Sequence, residues 1–269
     1  MTIGAILSIK SNIEEVFRNL KSLGLSHCQL GGSSKFFTDE MADRILEITK
    51  SEGIKITTFF SGWPGPLVWD FIQGPITIGV VPPEYRLARV EEITKTSDFA
   101  AKLGVNQVAT HAGFIPESPS DPLYPGVVAA LKYAVEHCKK NGQKFLFETG
   151  QETPVTLRRM IEDLGRDGIG INFDPANLLM YGKANPLDAL DIIGEFILDF
   201  HAKDGEYPVN GRELGEEKPL GQGRVNFPVL FEKLKKMGYN GPVTIEREIS
   251  GDQQKKDILM AIEILRDLI

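Results

Sequence analysis

Residues 170–182 read GINFDPANLLMYG. Ile169–Phe173 is short, β-branched and aromatic, the composition of a strand buried on both faces of a parallel sheet. It runs directly into Asp174, and Pro175 biases the backbone before it toward an extended conformation. A carboxylate at that depth costs on the order of several kcal/mol unless a partner or a cation meets it. The stretch therefore predicts a parallel strand whose carboxyl end carries a paired or ion-binding acid.

The same pattern recurs on both sides. Short apolar runs alternate with longer amphipathic ones, the signature of repeated βα units. The strands fall at Ile3–Ser8, Cys28–Leu30, Ile54–Phe60, Gln107–Thr110, Lys144–Phe147, Ile169–Phe173, Ile197–Phe200 and Pro242–Ile245. Between them lie helices such as SNIEEVFRNLKSLG, which opens on a Ser11–Glu14 capping box, and VNFPVLFEKLKKMG, which closes on lysines and Gly238. Eight units in 269 residues predict a single-domain (β/α)8 TIM barrel over residues 1–269. Two connections exceed what the pattern needs, Ser61–Tyr85 and Asp204–Arg224. The first holds both tryptophans, Trp63 and Trp69, and reads as a wall over a ligand, as packing on the barrel, or as part of a subunit interface.

A net charge of -7 repels polyphosphates, so nucleic acid is not an expected partner. Two cysteines, Cys28 and Cys138, with no Cys-x-x-Cys, predict neither a disulfide framework nor a thiolate zinc site, which fits a reducing cytoplasm. The opening MTIGAILSIKSNIEE is too briefly apolar to span a bilayer, and neither membrane insertion nor targeting is expected. A homo-oligomer is compatible with the sequence.

In a parallel barrel the ligand site forms at the carboxyl ends of the strands. The fourth strand runs into His111, the fifth into Glu148, the sixth into Asp174, the seventh into His201 and the eighth into Glu246. Alone, each of these acids reads as a helix cap or surface ion pair. Together, Glu148, Asp174, His201 and Glu246 converge on one axis, and three carboxylates in one cavity require a cation. One imidazole and three carboxylates suit one divalent ion with open positions, Mn2+ first, with Mg2+, Co2+ or Zn2+ as alternatives. His27 and His137 read as structural or exposed.

FETG (147–150), FDPANL (173–178), HAKDG (201–205) and PLGQGRVNFPVLFEKLKKMGYNGPVTIERE (219–248), in that order, resemble the xylose isomerase-like TIM-barrel superfamily. Within it they resemble the sugar isomerase and epimerase branch, with ketose 3-epimerases, hydroxypyruvate isomerase and inosose dehydratases. The resemblance implies that Glu148, Asp174, His201 and Glu246 bind one divalent metal and that Glu148 and Glu246 are the acid/base pair. Ketose epimerases place a histidine where Asn177 stands and an arginine soon after the seventh-strand histidine, where this chain has Lys203. With Asn177 and Lys203, the substrate-binding candidates are His111, Glu152, Trp63 and Arg224, the last returning over the site from the glycine-rich GQGR.

The implied chemistry is proton transfer through an enediolate on a sugar or sugar derivative. Return of the proton to the neighbouring carbon isomerises; return to the same carbon from the other face epimerises. Expulsion of a β-leaving group from a keto-sugar, inosose or keto-glycoside would make the site a dehydratase or lyase. The AP endonuclease of this fold is the remote alternative, since its three-zinc cluster needs more histidines.

Overall fold

The computed structural model describes all 269 residues. Eight parallel strands close a barrel: β1 (Thr2–Ser8), β2 (His27–Gly32), β3 (Lys55–Ser61), β4 (Gln107–Thr110), β5 (Lys144–Glu148), β6 (Ile169–Phe173), β7 (Ile197–Ala202) and β10 (Pro242–Ile245), with β10 hydrogen-bonded to β1. The remaining strands, β8 (Asp204–Gly205) and β9 (Glu217–Lys218), form a small antiparallel ribbon in the second long connection. The helices are α1 (Ile13–Ser22), α2 (Asp39–Glu52), α3 (Gly74–Thr77), α4 (Pro83–Lys102), α5 (Tyr124–Lys140), α6 (Pro154–Asp163), α7 (Pro175–Met180), α8 (Pro186–Ile193), α9 (Phe227–Lys236) and α10 (Asp252–Leu268). This is the expected single α/β barrel, with several strands longer than the apolar runs because their polar ends also pair.

The apolar core lies between strands and helices, where Phe17, Phe59, Phe145, Phe147, Phe200 and Phe231 are sealed from solvent. The barrel interior is instead polar. Asp199 accepts from Thr57, Thr58 and Thr244, and above it Gln29, Asn172 and His201 form a second layer. Two register shifts accompany these layers. Thr57 is the extra residue in the β2–β3 pairing and Leu198 in the β6–β7 pairing. Such bulges re-aim side chains: the first lets adjacent Thr57 and Thr58 both reach Asp199.

The capping box at Ser11 does not form. Asn12 occupies the N-cap with no side-chain cap bond, and its amide donates to Glu15. Glu14 is drawn away by Arg44 of α2, whose Nε and Nη2 both donate to it at 2.7 Å. The end of α9 is as read, with lysines in its last turn and Gly238 at φ 81°.

Candidate functional site

Glu148 ends β5, Asp174 follows β6, His201 lies in β7 and Glu246 follows β10. One donor atom from each lies within 4.8 Å of all the others. His201 Nδ1 is 3.1 Å from Glu246 Oε2, 3.2 Å from Glu148 Oε1 and 3.5 Å from Asp174 Oδ2. Donors sharing an ion at ~2.1 Å stand ~3.0 Å apart at right angles and ~4.2 Å apart across it. Asp174 Oδ2 and His201 Nδ1 are buried without any hydrogen bond, and the buried Glu246 Oε2 has Lys203 Nζ 3.2 Å away. Orphaned polar atoms are rare in a folded interior and need a partner. The spacing, the donor types and the orphaned atoms all fit a divalent cation.

Asp174 shows how the local sequence sets this up. Its backbone is extended, its Oδ1 caps α7 by accepting from Asn177 N at 2.8 Å, and its own N–H donates to Thr149 Oγ1. The cap uses one oxygen and leaves Oδ2 toward the cluster. On His201, Nε2 lies 2.9 Å from both Gln29 Oε1 and Asn172 Nδ2, and Gln29 Nε2 donates to Asn172 Oδ1. Gln29 Oε1 can accept a proton from Nε2, the arrangement that a metal-ligand role for Nδ1 needs.

Electrostatics divide the cluster: in spite of its burial, Lys203 and His201 hold Glu246 well below the usual carboxylate range, whereas the other two acids are raised. Burial pushes Glu148 up to about 8, the charges of Glu246 and Asp174 adding to it against His201. Burial also raises Asp174, against the pull of Lys203. For His201 burial works against the charged form, but Glu246 and Glu148 outweigh it and hold the ring well above its usual value. Carboxylates packed this closely must hold protons or share a cation.

The substrate candidates separate into three groups. Asn177 and Lys203 brace the cluster: Asn177 Nδ2 donates to Glu148 at 3.1 Å, and its Oδ1 accepts from Lys203 Nζ at 3.2 Å. Lys203 Nζ also meets Glu246 at 3.2 Å and Glu248 at 3.0 Å. Burial disfavours its charge, yet Glu246 and Glu248 hold it well above the ordinary lysine value. His111 and Trp63 face the open groove. His111 Nε2 is 3.2 Å from Glu148 Oε2, and its ring packs 5.9 Å from Trp63 and 5.2 Å from Trp69. Trp63 Nε1 donates to Thr110 Oγ1.

Glu152 makes no hydrogen bond to the cluster, although the charge of Glu148 reaches it, and Arg224 stands apart. Glu152 is buried, has an unpartnered Oε2 and is pushed by burial up to about 8. Arg224 does not return over the site: its exposed guanidinium pairs with Glu206 at 2.7 Å. Asp204 gathers the backbone N–H groups of Gly205, Gly221, Gly223 and Val225, tying GQGR to the ribbon and turning Arg224 outward. His27 is half-buried beside Ser26, and His137 pairs with Asp98. The reading from sequence missed Gln29, Asn172 and Glu248, although side-chain parity with Asp174 and Glu246 marks the last two.

A groove of about 400 Å3 opens above the cluster, lined by Glu148, Glu246 and His111 together with Phe36, Phe60, Trp63, Leu67 and Trp69. No helix is long and apolar enough to cross a membrane.

Comparison with known proteins agrees with this architecture. The crystal structure of a xylose isomerase domain protein from Planctomyces limnophilus is 36% identical, with a TM-score of 0.93 over 99% of this chain and 96% of that one. A D-tagatose 3-epimerase-like protein has the same fold, with a TM-score of 0.77 and 22% identity over 100% of this chain and 97% of its own. An uncharacterized protein of Methanocaldococcus jannaschii is 29% identical over 195 residues, a match that spans 68% of this chain and 63% of that protein. The family model described as xylose isomerase-like TIM barrel matches residues 17–268, and the chain belongs to that family.

Proposed function

We propose that the protein is a divalent-metal-dependent sugar isomerase or epimerase, with Glu148 and Glu246 as the proton-transfer pair. The observation that carries this reading is the convergence of four donors, two of them with buried atoms that make no hydrogen bond, at the carboxyl end of the barrel. Glu148, Asp174, His201 and Glu246 would hold the ion, Mn2+ before Mg2+, Co2+ or Zn2+. When bound, the ion supplies Lewis acidity toward a carbonyl and its neighbouring hydroxyl.

The protein's own groups do the rest. Glu148 arises from β5 and Glu246 from beyond β10, with β6 and β7 between them in the barrel, so they approach a bound sugar from two directions. One carboxylate removes the carbon-bound proton beside the carbonyl. The second returns a proton to the same carbon from the other side, inverting it, or to the neighbouring carbon, moving the carbonyl. Asn177 and Lys203 fix the two carboxylates, and His111 stands against Glu148 where it lines the groove. That ring beside Glu148 also favours elimination as the second reading, since it could assist loss of a hydroxyl next to the proton-abstraction site. A DNA-cleaving role fares worse, because His27 and His137 lie outside the cluster.

The test is metal analysis of the purified protein, then proton NMR of candidate sugars in deuterated water. Solvent deuterium should enter the substrate at the inverted or isomerised carbon. Glu148→Gln and Glu246→Gln should retain metal while kcat falls by roughly 10²–10⁴. Full turnover by both variants, or turnover without deuterium uptake in the wild type, overturns the mechanism.

A further inference from the structure

Arg89, in α4, is sealed from solvent, and no carboxylate lies at ion-pair distance from it. A buried charge of this kind is tolerated only where its donors are used, and here they are used on one connection. Nε donates to Pro64 O at 3.2 Å, Nη2 to Pro66 O at 3.0 Å and Nη1 to Gly79 O at 2.6 Å. The guanidinium also lies 5.6 Å from the Trp63 ring and 4.8 Å from that of Tyr85. Pro64 and Pro66 have no N–H, so their carbonyls are the backbone groups by which the turn after Trp63 can be tied.

The far side of this clamp reaches His111. Trp63 Nε1 donates to Thr110 Oγ1 at 2.8 Å. Gly79 packs on the backbone of Ala112: Val80 N donates to Ala112 O at 2.9 Å, and a Cβ on Gly79 would stand 2.0 Å from that oxygen. The residues on either side of His111 are therefore both tied to the connection that Arg89 holds. His111 itself meets Glu148 at 3.2 Å and has the Gln151 amide as a second polar neighbour. Three rings set its tilt. Phe60, Trp63 and Trp69 meet it edge to face, with centroids 5.7, 5.9 and 5.2 Å away and interplanar angles of 61° to 68°, and the two indoles lie 6.0 Å from each other. An imidazole in such an aromatic bracket points where the bracket places it.

We propose that Arg89 is a positioning residue for His111. Without lining the groove itself, it locks Trp63–Pro66 and Ile78–Val80 so that Trp63 and Trp69 hold the imidazole against Glu148. The proposal rests on the sugar-converting reading only for the purpose of that placement, which is to keep a groove-lining ring aligned with a proton-transfer carboxylate before substrate arrives. An apolar residue at position 89 would pack α4 on the barrel without desolvating a charge; three directed bonds to one connection are what the guanidinium adds.

The experiment is carbethoxylation of the full-length, Mn2+-loaded protein by diethyl pyrocarbonate, read histidine by histidine through peptide mass spectrometry. In Arg89→Met the rate at His111 should rise at least about fivefold, the change expected when the ring loses the worth of an aromatic pair. The rates at His27 and His137, and the Mn2+ affinity measured by calorimetry, should stay as in the wild type. If Arg89→Met does not fold, Arg89→Lys decides, because one ammonium cannot replace a fork aimed at three carbonyls, and His111 should again be the histidine that quickens. An unchanged rate at His111, an equal rise at all three histidines, or a fall in Mn2+ affinity overturns the proposal. Because carbethoxylation needs no turnover, failure of deuterium uptake would overturn the isomerase reading alone.

Discussion

Asp174 does two jobs because a carboxylate has two oxygens. Oδ1 is used by the N–H of Asn177, and Oδ2 faces the cluster without a hydrogen bond. Asp174→Asn should weaken metal binding, measured by competition with a chromogenic chelator, while keeping most of the cap, since asparagine caps a helix about as well as aspartate. An unchanged metal affinity would remove Asp174 from the ligand set. Gln29 is the less obvious case: it touches His201 Nε2 and not the cavity-facing Nδ1. Gln29→Leu should lower metal affinity by about 10–100-fold, the usual effect of losing the group that orients a ligating histidine. In the sequence Gln29 is a polar residue inside an apolar run, and only closure of the barrel brings it within reach of a residue 172 positions away.

At the scale of elements, competition between contacts decides where helices start. The Ser11–Glu14 pair has capping-box spacing, but Arg44 offers Glu14 two charge-assisted bonds, which outweigh one bond to a backbone N–H. Thr38 does cap α2, its hydroxyl accepting from Met41 N at 3.1 Å. In urea denaturation, Thr38→Ala should cost about 1 kcal/mol, whereas Ser11→Ala should stay within about 0.5 kcal/mol. Equal losses would restore the capping role of Ser11. The two bulges belong to this scale as well. Leu198 is the residue by which Ile197 and Asp199 oppose the adjacent Ile171 and Asn172; since a one-residue shift reverses side-chain facing along a strand, a further residue inserted between Asp199 and Phe200 should turn His201 out of the cluster and abolish metal binding, read by the same chelator assay.

At the scale of the whole molecule, burial governs reactivity and acid response. Cys28 and Cys138 are free and buried, and burial pushes both thiols up, Cys138 to about 12. Neither should react with a thiol reagent in the native protein, and both should react in denaturant; one fast native thiol would contradict this packing. Burial lowers His27, with Lys55 adding to it. From about pH 6.5 down to that lower folded value, the unfolded chain binds a proton that the folded chain refuses, so stability falls as pH falls through this window. His27→Gln should flatten that part of the stability-against-pH curve. The barrel and the identity of the Glu148, Asp174, His201 and Glu246 cluster were legible in the order of residues, because apolar periodicity is a local property and parallel strands end on one face of a closed barrel. Which groups brace the cluster was not. Asn177 and Lys203, read as substrate contacts, also bond Glu148 and Glu246, and Arg224, read as returning to the site, pairs with Glu206. The physical reason is that a side chain's chemical type is written in the sequence, whereas its partner is chosen by which buried polar atoms remain unsatisfied once distant strands and loops have come together.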